Sequence, residues 1–554
     1  MSTEPQTLVD LYLQGVERFP RPDRFLQKTG GGYRAISTAE FDRKVRACAG
    51  ALAALGIARG DRVAILSYNR IEWAIADWAC QLLGVVDVPI YSTLPADQAG
   101  YILQDSGAKA VFAENAEQLA KVQGRVPHVI CFESAPGADS FEEFLKRAKD
   151  VTPATVEPDD LATLIYTSGT TGVPKGVMLT HRNLVSNVVS SCEVLRVGPE
   201  DTGLSFLPLS HSFERILDYA MFAGGASIAY AEHVDKVAEN LLEVRPTVMG
   251  AVPRFYEKVY AKIMKSVEQM ESGKRSTFDW ARKTGAVMAE HRRRGERGGL
   301  GLRFKHWVAN FLVFRKLKAR VGGRIRHFIS GGGPLSRDIA EFFFSIDLPI
   351  IEGYGLTETS PVLTLNPPDR VKLGTVGKAI RGVDLKIAPD GEILARGPNI
   401  MKGYYNKPAE TADVMKDGWF ATGDIGELDG EGYLRITDRK KDLLKTSGGK
   451  YVAPQPIEGA LKLQPCIVNA IVIGDAQKFP AALLVAAPGA TREQVQAAVD
   501  VVNRALAHHE QIKKFILIEQ DFTIEGGELT PTMKVRRRVV EKKYQAQIAA
   551  LYAE

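Results

Sequence analysis

Apolar residues along this chain fall into two alternating textures: short unbroken runs, and longer stretches where they recur every third or fourth position. Arg62-Val63-Ala64-Ile65-Leu66, Val85-Val86-Asp87-Val88-Pro89-Ile90 and Ala110-Val111-Phe112-Ala113 are of the first kind and predict buried strands. Residues 72–83 and 96–105 are of the second kind and predict helices, the first ending at Gly84. Upstream, Leu8, Leu11, Tyr12, Val16 and Phe19 mark a surface helix. Ser37-Thr38-Ala39-Glu40 is a capping box that opens a helix running to about Leu55 and stopping at Gly56. The alternation resumes further on. Strands are expected at 161–166, 177–181, 226–229, 248–251, 327–330 and 350–355, with helices from Asn183, over 234–243 and over 338–344. Strand–helix alternation with short, glycine-marked connections predicts an α/β fold of parallel βαβ units, doubly wound with helices on both sheet faces.

After Thr375 the texture changes to short strands and many turns, among them Pro389-Asp390-Gly391-Glu392 and Asp429-Gly430-Glu431-Gly432. Residues 375–437 read as a smaller antiparallel, β-rich subdomain. Residues 443–554 read as a small α+β unit with strands at 467–473 and 481–487 and a helix at 492–506.

Residues 255–327 break the rhythm. From Lys265 to Arg326 the chain carries 17 Lys/Arg against 5 Asp/Glu, a net of +12 in a protein whose formal net charge is +5. His291-Arg292-Arg293-Arg294-Gly295-Glu296-Arg297 reads as a solvated turn between two helices. In the second, Phe304, Trp307, Val308, Phe311, Phe314, Leu317 and Val321 recur at helical spacing. The plain expectation is a helical hairpin whose apolar face packs on the core. The sharper one is peripheral contact of residues 265–326 with an anionic membrane, the behaviour of basic amphipathic helices. The two are compatible.

The 554 residues are enough for about three or four units of ~150 residues. With 45% hydrophobic and 25% charged residues the composition is that of an ordinary soluble protein. A sequence pI near 8.7 is too mild to point to nucleic acid, and no nucleic-acid partner is expected. Cys48, Cys80, Cys131, Cys192 and Cys466 are scattered without metal or disulfide spacing, which fits a reducing compartment. No apolar run approaches the ~20 residues of a membrane span, and the first residues lack signal-peptide character. The expected location is cytoplasmic, with peripheral attachment to the inner face of the membrane if the basic insert binds it. An oligomer is compatible with the sequence.

The chemistry-bearing stretches are few. Tyr166-Thr167-Ser168-Gly169-Thr170-Thr171-Gly172-Val173-Pro174-Lys175-Gly176 joins two strands through small and hydroxyl residues and ends in a lysine. Backbone N–H groups left uncovered by small side chains, together with hydroxyls and a point charge, suit a triphosphate. The spacing is not that of a Walker A loop, and an isolated run of this kind is more often an ordinary hairpin turn. Leu207-Pro208-Leu209-Ser210-His211-Ser212-Phe213-Glu214-Arg215 sets a histidine in apolar surroundings, where a satisfied core histidine is the commoner outcome. Gly331-Gly332-Gly333 follows a strand. Gly353-Tyr354-Gly355-Leu356-Thr357-Glu358-Thr359 offers an aromatic face for a purine and a carboxylate for Mg²⁺, or alternatively a capped strand-to-helix turn. Thr422-Gly423-Asp424 ends a strand in an acid able to accept from ribose hydroxyls, or to serve as a turn residue. Asp438-Arg439-Lys440-Lys441-Asp442 and Thr530-Pro531-Thr532-Met533-Lys534 read as charged surface segments or as site contributors.

Taken together and in this order, these motifs resemble the adenylate-forming superfamily, and within it the long-chain fatty acyl-CoA synthetases. The resemblance spans roughly residues 8–545. It implies a large N-terminal domain (1–437), a hinge (438–442) and a mobile C-terminal domain (443–554). It implies ATP, Mg²⁺ and coenzyme A as the small molecules used, with a fatty acid as the acyl substrate. By the resemblance, Thr167, Ser168, Gly169, Thr170, Thr171, Gly172 and Lys175 hold the ATP phosphates. Gly331, Gly332 and Gly333 line the adenine slot with Tyr354 stacked on the base. Thr357 meets the α-phosphate, Glu358 holds Mg²⁺, and Asp424 and Arg439 bind ribose. Lys441 matches the hinge position. Gly448 and Gly449 border the pantetheine tunnel, Lys534 is the lysine of the first half-reaction, and His211 lies near the acyl pocket. The implied reaction converts ATP, fatty acid and CoA to acyl-CoA, AMP and pyrophosphate through an acyl-adenylate. The alternative is an acyl- or aryl-AMP ligase that delivers to a carrier-protein thiol.

Overall fold

The computed structural model describes residues 4–168, 173–523, 526–530 and 535–553. Two mixed sheets dominate. The larger has nine strands in the order Lys378–Ala379, Val362–Leu365, Ile350–Gly355, His327–Ser330, Val248–Ala251, Thr202–Ser205, Ser227–Tyr230, Phe25–Thr29 and Gly32–Ile36. The six strands from Ile350–Gly355 to Phe25–Thr29 are parallel, and antiparallel strands close both edges. The second sheet has eight strands in the order Gly403–Tyr404, Pro174–Thr180, Leu161–Ser168, Val86–Ile90, Arg62–Leu66, Ala110–Ala113, His128–Cys131 and Asp139–Ser140. It is parallel from Leu161–Ser168 onward and antiparallel before it. The fold is α/β with helices on both faces of parallel sheets, as the alternation predicts.

Ala110–Ala113, Ser227–Tyr230, Val248–Ala251 and His327–Ser330 are buried along their whole length. A strand covered on both faces has no solvent side to alternate with, so its sequence is an unbroken apolar run. Helix Ile71–Leu83 is likewise apolar nearly all round and buried from Ile71 to Leu82, save Glu72. Its Asp77 meets Arg215 from helix Ser212–Ala223. Arg215 Nη2 donates to Asp77 Oδ1 at 2.6 Å and to Asp87 Oδ1 at 2.8 Å, and Nη1 donates to Thr163 Oγ1 at 2.9 Å. Tyr219 donates to Asp77 Oδ2 at 2.8 Å. Burial pushes the Asp87 carboxyl up to about 7 against the pull of Arg215, and the neighbouring Asp77 adds to the rise. Such a dry ion cluster adds little net stability over apolar packing, but it admits one arrangement of the helix against the sheet.

The hairpin Phe25–Thr29/Gly32–Ile36 has no counterpart in the sequence pattern. Its two strands are only partly covered, so their apolar residues do not form a run. A five-stranded antiparallel sheet holds Asp384–Ile387, Glu392–Arg396, Met415–Lys416, Trp419–Leu428 and Leu434–Arg439. Beyond it, Ile467–Ile473, Ala481–Ala486 and Lys514–Ile518 form a three-stranded sheet, with helices Pro454–Lys462 and Arg492–Asn503 packed on it. Lys462 Nζ lies 3.2 Å from Glu257 Oε1, and Arg254 donates to the Val468 carbonyl at 2.9 Å, so this unit touches the larger one.

The basic insert differs from its plain expectation. Helices Pro253–Glu268, Ser272–Arg293 and Leu300–Ala309 are followed by a π-helical turn, Asn310–Phe314, and a last short helix, Arg315–Ala319. The apolar stripe of Leu300–Phe314 does not pack on the core as a whole. Phe304 is 66% exposed, Trp307 63% and Phe311 59%, whereas Phe314 is fully buried. In a regular α-helix positions seven apart share a face, so Phe314 would lie with Trp307. The wider π turn shifts the phase and sends Phe314 inward. There it meets Gly285, where an added Cβ would stand 2.9 Å from the Phe314 ring and 1.8 Å from the Ser345 carbonyl oxygen. A glycine is what lets helix Ser272–Arg293 lie this close to helix Arg337–Ser345. Asp347 then gathers polar groups of the insert: Arg292 at 2.7 Å, His306 at 3.1 Å and Lys318 at 3.2 Å. Burial alone would raise its carboxyl, but the His306 hydrogen bond and the charges of Lys318 and Arg292 hold it well below the usual carboxylate range.

Candidate active site

In open α/β sheets the crevice for ligands lies outside the carboxyl ends of the parallel strands. The chemistry-bearing stretches of this chain follow those ends. His211 follows Thr202–Ser205, Gly331–Gly333 follow His327–Ser330, and the Tyr354–Glu358 stretch ends Ile350–Gly355.

The last of these turns sharply. A Cβ on Gly355 would stand 1.7 Å from the Pro361 carbonyl oxygen, so only glycine lets the returning strand Val362–Leu365 approach, at a register shift beside Tyr354. The turn ends in a 3-10 segment, Thr357–Thr359. Tyr354 is thereby aimed at the five-stranded sheet, where its hydroxyl donates to Asp424 Oδ2 at 2.7 Å. Asp424 and Arg439 are direct partners across two antiparallel strands, and Arg439 Nε stands 3.5 Å from Asp424 Oδ1. Burial first, and then the charge of Asp424, raise the Tyr354 hydroxyl well above its ordinary value, so it remains a donor. Three residues far apart in sequence thus make one cluster: an aromatic face, a buried carboxylate and a half-exposed guanidinium.

Glu358 leads to a second cluster. Its Oε1 accepts from the Tyr404 hydroxyl at 2.9 Å, and Lys175 Nζ lies 5.1 Å from the centre of the same tyrosine ring. Strand Gly403–Tyr404 is the edge partner of Pro174–Thr180, with Tyr404 opposite Val177. Sheet pairing therefore carries Lys175 and Tyr404 to the same place, and the Met401 N–H bond to the Glu358 carbonyl at 2.9 Å fixes the turn beside them. Tyr404 has no sequence signal; only the edge-strand pairing reveals it.

The expected phosphate loop sits on a tighter hairpin than the sequence pattern indicates. The strands run on to Ser168 and resume at Pro174, with Thr167 paired to Lys175. Gly169, Thr170, Thr171 and Gly172 lie outside the described residues, as does Lys534. Thr357 Oγ1 is 3.3 Å from Ser212 Oγ, which joins the Glu358 turn to the segment holding His211. His211 caps helix Ser212–Ala223, its Nδ1 accepting from the Phe213 N–H at 3.1 Å. That assigns the proton of a neutral ring to Nε2. Phe213 packs against Gly331, where a Cβ would stand 3.1 Å from the ring. Glu214, next along, is fully enclosed. Its Oε1 accepts from the Phe206 N–H at 3.2 Å, while Oε2 has no hydrogen-bond partner among the described residues. Burial pushes its carboxyl up to about 8. Arg215, on the same helix, turns to Asp77 and Asp87 instead.

The remaining expected positions lie beyond Asp424. Lys440 follows the last strand of the five-stranded sheet and reaches Asp390 Oδ2 and Glu392 Oε2, both at 2.7 Å. Lys441 is exposed beside it. Gly448 and Gly449 are exposed in the turn Thr446–Lys450, with Gly449 at φ +75°. Among the described residues, the hydrogen bonds of this turn are made within Thr446–Lys450 and to Gln477, not to the Tyr354 or Glu358 clusters.

Among the described residues no three metal-ligating side chains converge. A Mg²⁺ held by Glu358 would take its remaining ligands from phosphate oxygens and water, which is how Mg²⁺ is ordinarily bound beside nucleotides. One carboxylate, four residues after Tyr354, fits that requirement.

Comparison with known proteins finds matches along most of the chain. A family model described as AMP-binding enzyme matches residues 14–405, and one described as AMP-binding enzyme C-terminal domain matches 441–554. The chain is 38% identical over 562 aligned positions to the long-chain-fatty-acid–CoA ligase FadD15 of Mycobacterium bovis, covering 94% of this chain and 93% of that protein. It is 32% identical to the long-chain-fatty-acid–CoA ligase ACSBG2 of Xenopus laevis, covering 100% of this chain and 84% of that protein. Among solved structures, the adenylation domain of a carboxylate reductase from Mycobacterium chelonae aligns with a TM-score of 0.82 at 23% identity, over 99% of this chain and 91% of that one.

Proposed function

The chain belongs to the AMP-binding enzyme family, and from that premise we propose that it is a long-chain fatty acid–CoA ligase. It joins a fatty carboxylate to coenzyme A with cleavage of ATP to AMP and pyrophosphate. The observation that carries the reading is the meeting of Lys175, Tyr404 and Glu358 within one turn of the Tyr354–Asp424–Arg439 cluster. The two groups of side chains, joined through the short stretch from Tyr354 to Glu358, support a reading in which one nucleotide spans both.

A carboxylate is a poor electrophile because oxide does not leave. Attack of its oxygen on the α-phosphorus of ATP forms the acyl–O–P bond and breaks the bond to pyrophosphate. The CoA thiolate then attacks the acyl carbon, and AMP leaves with the former carboxylate oxygen. Two anions must meet in the first step, so cationic groups and donors fixed beforehand where charge gathers lower the barrier. Lys175 and the hydroxyls of Thr167 to Thr171 serve the β/γ phosphates, and Thr357 the α-phosphate. Mg²⁺ on Glu358 would neutralise charge between phosphate oxygens. Tyr404 holds the Glu358 carboxylate in one orientation, and Asp424, itself fixed by Tyr354 and Arg439, accepts from the ribose hydroxyls. Tyr354 presents its ring to the base in the slot lined by Gly331, Gly332 and Gly333. His211 borders the acyl side. Residues 438–442 act as a hinge about Lys441 between the unit 1–437 and the mobile unit 443–554. Lys534 serves the first half-reaction from the mobile unit, and Gly448 and Gly449 border the path of CoA in the second. We also propose peripheral contact of residues 265–326 with an anionic membrane.

Acyl-dependent ATP–pyrophosphate exchange, followed by CoA-dependent release of AMP, tests the reaction. AMP release to a carrier-protein thiol but not to CoA would assign the chain to the AMP ligases instead. Lys534→Ala should abolish pyrophosphate exchange and spare thioester formation from supplied acyl-AMP. Exchange at the wild-type rate would remove Lys534 from the mechanism.

A further inference from the structure

Leu300, Phe304, Trp307 and Phe311 follow one another at helical spacing on the outer face of the insert, and Leu300 is 82% exposed. The rings stand in series, Phe304 to Trp307 at 6.1 Å and Trp307 to Phe311 at 6.3 Å between centroids. The opposite side of the same helix is anchored through buried His306 and Ala309. An aromatic row this size left in water is a cost that a folded surface rarely carries without an occupant. The charges around it indicate which occupant. Arg303 and Lys305 flank the row, Arg315 and Lys316 continue it, and no Asp or Glu occurs between Glu296 and Asp338. Two copies meeting through this face would set cation against cation. Among the described residues no helix is long and apolar enough to cross a membrane, and this one is fixed to the body along its inner side. A basic helix with an outward aromatic row suits the boundary between headgroups and acyl chains, lying in its plane.

We propose that the Leu300–Phe311 face is the element that docks the enzyme on an anionic lipid surface, with Phe304, Trp307 and Phe311 inserted among the acyl chains and the flanking cations at the headgroups. This deepens the membrane contact proposed above and rests on that reading. It assigns the contact to one face and leaves the rest of the basic insert outside the lipid.

The test uses the full chain without ATP. Vesicles of phosphatidylcholine alone and of phosphatidylcholine mixed with phosphatidylglycerol are sedimented with the wild type and with the triple variant F304S/W307S/F311S. The wild type should partition onto the anionic vesicles and lose binding as salt rises, since flanking charges are screened over about 10 Å at 0.1 M. The triple variant should lose about tenfold or more in partition. Because the three side chains are exposed, the variant should activate a short, water-soluble fatty acid at the wild-type rate. Trp307 emission should be quenched by brominated lipid, and that quenching should vanish in W307F. Failure of the wild type to pellet, or equal pelleting of the triple variant, would overturn the proposal. So would a wild-type dimer that the triple variant abolishes without any lipid binding, which would give the face to a second copy. A chain that pellets through this face but shows no acyl-dependent exchange keeps the docking face and sinks the enzymatic reading. One that exchanges but never pellets does the reverse.

Discussion

The core around Arg215 and the basic insert use the same residue types in opposite ways. In the core, Arg215 is enclosed and each hydrogen-bonding nitrogen has a named partner in Asp77, Asp87, Thr163 or Tyr219. In the insert, Arg303, Lys305 and Arg315 stand in solvent. The aromatics divide likewise: Tyr354 and Tyr404 have hydroxyls tied to carboxylates, whereas Phe304, Trp307 and Phe311 have open faces. Helical periodicity is the same for a stripe that packs and one that does not. Partner groups on other elements decide the outcome, and these are fixed only when the chain has folded.

Experiments can strain this contrast from either side. The largest effect is expected from Arg215→Ala, which leaves two carboxylates buried without their cation. Denaturant unfolding should show a loss of about 3–5 kcal/mol, while Arg303→Ala should change stability by less than about 0.5 kcal/mol. A similar loss in both would mean that burial does not separate the two regions. Next in size is Glu358→Gln, expected to slow pyrophosphate exchange by on the order of a hundredfold to a thousandfold with unfolding unchanged. A fall in stability instead would make Glu358 a structural partner of Tyr404 alone.

Glu214 gives a pH-dependent measure. Its folded carboxyl sits near 8 against an ordinary value of 4.5, so between those values the native state holds a proton that the unfolded chain has released. Stability from this group is therefore complete below about pH 4.5, falls as pH rises, and levels off above about 8. Glu214→Gln keeps the neutral shape and should remove that slope, gaining on the order of 4 kcal/mol over wild type at pH 8. Parallel wild-type and variant profiles from pH 5 to 8 would show that Glu214 is not the group responsible. The smallest effect is expected from Phe304→Ser, under about 0.5 kcal/mol in unfolding. A loss of several kcal/mol would show that this ring packs in the native protein after all.

Much of the α/β fold was legible from unbroken runs, because strands covered on both faces leave a dense apolar signature. Ser37, whose hydroxyl accepts from the Glu40 N–H at 3.0 Å, and the glycine ends at Gly56 and Gly84 marked boundaries for the same kind of local reason, although the Glu40 carboxylate completes no capping box and turns to Arg34 instead. The hairpin at Phe25–Ile36 was not legible, since its half-covered strands have no clean period. In the site, Tyr354, Glu358, Asp424 and Arg439 could be singled out through motifs, and the structure brings Tyr354, Asp424 and Arg439 into contact. Tyr404 could not, because its place depends on pairing with a strand more than 200 positions earlier. The split of the insert's stripe was equally hidden: the π turn that rotates Phe314 inward responds to Gly285 and the Ser345 carbonyl, neither of which is near it in sequence.

Val248–Ala251 and His327–Ser330, which bracket the insert, are adjacent parallel strands. The whole basic segment is therefore an overgrown crossover. Parallel neighbours need only a dozen or so linking residues, and helix Pro253–Glu268 alone would span that gap. Loop length is entropically cheap, each doubling costing about 0.6 kcal/mol. A cassette of several helices can thus be spliced between two core strands without altering their register. The size of that cassette is thus set separately from the side chains that stand at the strand ends.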